Sequence, residues 1–167
     1  MPMIVEGRLW RFGDSVDTDR IMPGRHLILP LEEAMRFAFE AVRPGFASEV
    51  RPGDVIVAGE QFGCGSSREF AAAALRELRV GVVAAQSFGN IFYRNCINVG
   101  LPVVHLRQAV DTVPGADGDS ARVDVENAIF ITEAGAAQIE PPRPEVLEIL
   151  MVGGLRPLIR TRRRIRE

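Results

Sequence analysis

The sequence contains no lysine: all 20 basic residues among its 167 are arginine. That absence excludes Schiff-base catalysis, pyridoxal-phosphate anchoring and a Walker A phosphate loop, each of which needs a lysine amine. Cysteine is scarce, with only Cys64 and Cys96, and so is histidine, with only His26 and His105. An iron–sulfur cluster or zinc site held by three or four cysteines of this chain is therefore excluded. Long apolar runs are missing too: no stretch reaches the roughly 18 apolar residues of a membrane span. Residues 1–10 hold no apolar run of signal-peptide length. The chain is thus expected to be soluble and cytoplasmic, to keep its thiols reduced and to engage no membrane. No sign of charge dominates either: 20 basic against 22 acidic residues leave a formal charge of -2, so no general affinity for nucleic acid is expected.

What is present is globular in character. Hydrophobic residues make up 47% and charged residues 25%. The length fits one domain, 1–167, that ends in a basic tail at 160–167. Residues 4–12 alternate partly and predict a strand, followed by an Asp-rich loop over 13–24. Leu31, Met35 and Phe39 predict a helix over 31–42, closed by Pro44-Gly45. Short apolar runs at 55–58, 81–85 and 102–105 predict buried strands, with helices over about 66–78 and 90–98 between them. Two short strands are expected within 122–132, and a helix over 144–150 with Pro144 at its first position and Gly153-Gly154 beyond its end. This order predicts an α/β fold with some parallel pairing and a meander or barrel-like β part.

Chemistry concentrates in two loops. The stretch Gly59-Glu-Gln-Phe-Gly-Cys-Gly-Ser-Ser-Arg-Glu69 combines backbone freedom with two hydroxyls and a guanidinium. Ser66 and Glu69 fit a capping box, which would place Arg68 in the first turn of a helix. Backbone N–H groups at Gly63, Cys64 and Gly65, the helix start and Arg68 would together form an anion site. A thiolate at Cys64 would also gain from that helix start. The second stretch, 13–24, carries Asp14, Asp17 and Asp19 at spacings unlike a calcium loop. There Asp17, Thr18 and Asp19 could orient a partner's His or Arg, or simply form a turn. A serine hydrolase is disfavoured: Ala85-Gln-Ser-Phe-Gly89 resembles a nucleophile elbow, but no acid lies between Ser87 and His105.

Together the two loops resemble the small-subunit family of 3-isopropylmalate dehydratase, the detached swivel domain of the aconitase superfamily. The resemblance extends to 86–95, 98–102 and Gly153-Gly154-Leu155, and so covers about 5–155. It implies a single swivelling β/β/α domain of the aconitase C-terminal (domain 4) type. It also implies a hydro-lyase that is active only with an aconitase-like large subunit. That partner would carry a [4Fe-4S] cluster, and this chain would bind no metal. By the family's pattern Ser66 is the catalytic base and Asp19 orients a histidine of the large subunit, supported by Thr18. Ser67 and Arg68 match positions that bind a substrate carboxylate. Arg25, His26, Ile28 and Leu29 match the family's specificity loop, and His26 stands where the family usually carries a tyrosine. Apolar Ile28 and Leu29 suit an isopropyl group better than an extra carboxylate, whose unpaired burial is costly. The expected reaction is therefore interconversion of 2- and 3-isopropylmalate in leucine biosynthesis. Homoaconitase and alkylmalate (citramalate or dimethylmalate) dehydratases remain alternatives. So does a non-catalytic anion- or RNA-binding protein on the same fold.

Overall fold

A computed structural model describes residues 2–166. Its strands are β1 (Ile4–Arg11), β2 (Val55–Ala58), β3 (Val82–Ala85), β4 (Val103–His105), β5 (Ser120–Asp124), β6 (Ile129–Thr132) and β7 (Gly135–Gln138). They form one sheet in the order β4-β3-β2-β1-β5-β6-β7. β1 to β4 pair in parallel, whereas β1-β5-β6-β7 pair antiparallel. The outer edges then meet. Leu106 bridges Ile139, and Arg107 N and Glu140 N donate to Gln138 O and His105 O at 2.8 Å each. The sheet closes on itself, which realises the barrel-like expectation.

Successive residues along each parallel strand enter different cores. Val55, Val57, Val82, Ala84 and Val104 point to the barrel interior, with Leu9, Val123 and Phe130. Ile56, Ala58, Val83, Ala85 and Val103 point outward to the helices. Strands covered on both faces need apolar residues at every position, and this explains their unbroken apolar runs. β5 and β6 instead alternate exposed and buried residues, because only their inner face is covered.

The helices are α1 (Thr18–Ile21), α2 (Leu31–Ala34), α3 (Phe46–Glu49), α4 (Phe70–Glu77), α5 (Asn90–Val99), α6 (Pro144–Met151) and α7 (Leu155–Arg166). The helix predicted over 31–42 is broken: α2 stops at Ala34, a 3-10 turn follows over Met35–Phe37, and Phe39 adopts φ 57. Its fully buried ring lies 4.4 Å from that of Phe12 and 4.8 Å from that of Phe46. Burying an aromatic ring in such a cluster outweighs the roughly 1–3 kcal/mol of a left-handed residue. The basic tail also departs from expectation. Residues 155–166 continue as a helix, with Leu158 buried and Arg162 held by both oxygens of Glu148 at 2.8 and 2.9 Å. Glu167, the last residue of that tail, lies outside the described residues. No helix among the described residues is long and apolar enough to cross a membrane.

The best-tied buried charge lies at the start of β2. Asp54 accepts from Trp10 Nε1 at 2.8 Å, from Arg8 NH2 at 2.9 Å, and from the backbone N–H groups of Arg8 and Arg51 at 2.9 Å. It ties β1 to the turn before β2.

Candidate active site

The loops after β1 and β2 leave the same end of the sheet and run side by side. Gly59 N donates to Gly13 O at 3.1 Å, Ser15 N to Glu60 O at 2.8 Å, Gly63 N to Val16 O at 2.7 Å and Thr18 N to Cys64 O at 2.9 Å. Asp14 Oδ1 accepts from Glu60 N at 2.8 Å. Asp17 caps α1 by accepting from Arg20 N at 2.8 Å. Two of the three loop aspartates are therefore structural.

Close approach of backbone explains Gly63. It has φ 75, and a side-chain carbon there would sit 2.2 Å from Phe92 Cγ of α5. We expect Gly63→Ala to cost about 1–3 kcal/mol in chemical denaturation, from overpacking and backbone strain. An unchanged midpoint would show that the loop can move away from α5.

The side-by-side loops place Ser66 against Thr18. Thr18 is 4% exposed, and its Oγ1 accepts from Ser66 N at 3.1 Å. The same Oγ1 lies 3.0 Å from Ser66 Oγ. Either hydroxyl can donate to the other, and an anionic Ser66 Oγ, which can only accept, would receive the Thr18 O–H. A developing negative charge on that oxygen would then meet a fixed donor. The expectation that Thr18 acts on Asp19 is corrected: its side chain serves Ser66. Asp19 Oδ1 instead accepts from Gly24 N at 2.8 Å, and the exposed carboxylate keeps capacity for an outside partner.

The capping box is not formed. α4 begins at Phe70, Glu69 is its N-cap, and no side chain caps it. Ser66 is withheld because Thr18 engages its N–H. Arg68 consequently precedes the helix instead of lying in its first turn. Cys64 sits six positions before α4, so the helix start does not act on its thiol. Arg68 is exposed and forms no ion pair among the described residues, so its guanidinium is available to a carboxylate. Ser67 is exposed as well, and its carbonyl accepts weakly from Asn95 Nδ2 at 3.5 Å.

Thr18, Asp19, Leu27, Ser66, Arg68 and the first residues of α4 surround one hollow of about 10 Å³. That is room for about one water and far below the several hundred Å³ of a small-molecule pocket. The polar groups of a site converge here without walls to enclose a substrate. A larger hollow of about 610 Å³ lies on the outer face of β1, β5 and β6 and contains none of these groups.

The segment 24–29 borders the hollow through Leu27, with Gly24 close to two of its lining side chains. A side-chain carbon at Gly24 would lie 3.1 Å from Arg68 NH1 and 3.4 Å from Asp19 Oδ1. Ile28 is 90% exposed, whereas Leu29 packs partly against the helix-side core. Leu29 is therefore partly engaged in packing and partly accessible. Arg25 and His26 both reach Glu40, a residue that sequence reading missed. Glu40 lies beyond the broken helix, so no periodicity linked it to the loop.

The remaining candidates are structural. Cys96 is fully buried, and burial pushes its thiol well above the ordinary range. Ser87 Oγ accepts from Gln61 N at 2.8 Å, and His105 packs 5.2 Å from the rings of Phe88 and Tyr93. No group of three or more potential metal ligands exists among the described residues.

Comparison with known proteins matches residues 46–109 to the Aconitase C-terminal domain. The chain is 46% identical over 158 residues to the methanogen homoaconitase small subunit of Methanothermobacter thermautotrophicus, covering 93% of this chain and 90% of that relative. It is 43% identical over 164 residues to a 3-isopropylmalate dehydratase small subunit of Hydrogenobaculum, covering 96% and 98%. A crystal structure of 3-isopropylmalate dehydratase from Methanocaldococcus jannaschii superposes with a TM-score of 0.90 at 38% identity, covering 98% of this chain and 97% of that one.

Proposed function

Because the chain belongs to the small-subunit family of aconitase-type hydro-lyases, we propose that it supplies the base and the carboxylate anchor for isomerising 2- and 3-isopropylmalate in leucine biosynthesis. A small subunit of a two-subunit enzyme requires a large-subunit partner. The observation that carries the reading is the hollow itself: Ser66, Thr18, Asp19 and Arg68 converge on a space of about 10 Å³. Half of a site is built here, and the large subunit completes the enclosure. This chain's ligand set does not fit a [4Fe-4S] cluster, since it has only two cysteines, one of them buried, and no group of three or more potential ligands exists among the described residues. On this reading the cluster and its Lewis-acid chemistry belong to the large subunit.

The chain's own residues have defined work. Ser66 Oγ, as the alkoxide, takes a proton from the carbon next to a carboxylate. The hydroxyl on the neighbouring carbon departs as water, protonated by a large-subunit group that Asp19 orients, and leaves a carbon–carbon double bond. Rehydration in the opposite sense returns the Ser66 proton to the other carbon. An ordinary serine hydroxyl is a weak base, so its anion needs fixed donors. Thr18 Oγ1 is the nearest, at 3.0 Å. Arg68 fits a fork-on-carboxylate contact with the substrate, and Ser67 adds a hydroxyl beside it. Ile28, exposed and next in sequence to Leu27 at the hollow, supports an alkyl substituent.

The name of the methanogen relative favours a second reading, homoaconitase chemistry on a tricarboxylate. Anaerobic reconstitution with the cognate large subunit decides between them. Hydration of isopropylmaleate, homoaconitate, citraconate and dimethylmaleate would be compared. Preference for isopropylmaleate is expected. Preference for homoaconitate would overturn the substrate assignment, and an inactive but assembled complex would favour a non-catalytic binding role.

A further inference from the structure

We propose that Glu40 is a specificity-positioning residue: it latches Arg25 and His26 beside the Ser66 hollow, withholds Arg25 from a distal substrate carboxylate and leaves Ile28 to meet that part of the substrate. The inference rests on the hydro-lyase reading above and adds a determinant to it.

The geometry is a three-membered cluster. Arg25 NH2 and His26 Nε2 share one oxygen, Glu40 Oε1, with the histidine at 2.8 Å. A carboxylate oxygen only accepts, so His26 Nε2 carries a proton and donates. The 3.3 Å approach of Arg25 Nε to the same nitrogen is then a packing contact, because that nitrogen has no lone pair to offer. The imidazole lies flat on Phe37, with ring centroids 3.9 Å apart and planes 6° from parallel. Glu40 is itself anchored. It follows Phe39, which is fully buried and whose N–H donates to Ile21 O at 2.9 Å.

An exposed ion pair alone is a weak restraint. Here the pair is reinforced by a stacked ring and by an acid fixed to the core. The latch therefore sets where residues 24–28 stand. Gly24 and Leu27 abut the hollow from this segment, so the latch sits one residue from the site on each side. Two effects on the substrate follow. The guanidinium, the cation of this segment, is already neutralised by Glu40. A distal carboxylate approaching it would also meet the negative charge of Glu40. Both disfavour an acidic substituent and leave an alkyl one unopposed.

The test is Glu40→Gln in the reconstituted two-subunit enzyme. The amide oxygen still accepts from His26, so the fold of the segment is retained while the charge is removed. The ratio of kcat/KM for homoaconitate to that for isopropylmaleate is expected to rise about tenfold or more, chiefly through KM for homoaconitate. Adding Arg25→Gln should abolish that rise. A ratio that does not move, or a rise that survives in the double variant, overturns the proposal; a merely structural role would lower both substrates together. The latch is also read without catalysis: phenylglyoxal modification of Arg25, followed by mass spectrometry, should quicken severalfold in Glu40→Gln. An enzyme that hydrates neither substrate would overturn the hydro-lyase reading and the specificity assignment with it, while unchanged Arg25 reactivity would overturn the latch itself.

Discussion

Ser66→Ala in the reconstituted enzyme should lower kcat by about 10³-fold at nearly constant KM, the pattern of a lost general base. The serine accepts one hydrogen bond at most from the site, so its removal leaves the backbone ladder between the two loops in place. Assembly with the large subunit, followed by gel filtration, should be unaffected. Thr18 provides the sharper test of mechanism. Thr18→Val keeps the buried shape and removes the donor at 3.0 Å, and about 10²-fold in kcat should go with it. Thr18→Ser should restore most of that loss. If Thr18→Val matched the wild-type kcat, the buried hydroxyl would not be what makes Ser66 basic. If Ser66→Ala retained full activity, the base would lie elsewhere.

Asp54→Ala should destabilise the chain by about 3 kcal/mol, although it touches nothing in the site. The carboxylate is 1% exposed and gathers donors from Trp10, Arg8 and Arg51. Removing it leaves a buried indole N–H and a half-buried guanidinium without an acceptor. Burial alone would push the Asp54 carboxyl up, but the hydrogen bonds from Trp10, Arg8 and Arg51 prevail and hold it below its ordinary value. The folded state therefore favours the charged form. The stabilisation is fully present above the unfolded value of about 3.9 and is lost as pH falls through the lower folded value. Urea melts of wild type and Asp54→Asn should differ by a constant amount above about pH 5 and converge below about pH 4. A difference that grew in acid would give the opposite sign and refute the assignment.

How much was legible in the sequence depended on what buried each segment. β2, β3 and β4 could be read because both faces are covered and every position is apolar. β7, Gly135-Ala-Ala-Gln138, escaped because neither glycine nor alanine has strand propensity; closure against Leu106 holds that edge in place. α7 escaped because its run of arginines resembles a solvated tail, although Leu158 packs inward. In the site, the motif named Ser66, Arg68 and Asp19 as residue types with a purpose. It could not tell that Ser66 would leave the helix cap for Thr18, because that choice is made by a partner 48 positions away in the chain. Glu40 was illegible for a related reason. Its partnership with Arg25 depends on Phe39 turning left-handed, a local cost that only the aromatic cluster explains.

The closed sheet has a consequence for the order in which the chain acquires its structure. β1 is made first, yet its two neighbours are β2, about 46 residues later, and β5, more than a hundred residues later. Its antiparallel side stays unpaired through most of synthesis, and the last seam, Leu106 to Ile139, cannot form until β7 has emerged. Contacts this distant along the chain close slowly, and an open edge is a template for foreign strands while it waits. The parallel half, with its helices, can collapse earlier around Ile56 and Val83. The loops that bring Ser66 to Thr18 belong to that early half, so the two hydroxyls can meet before the barrel has shut.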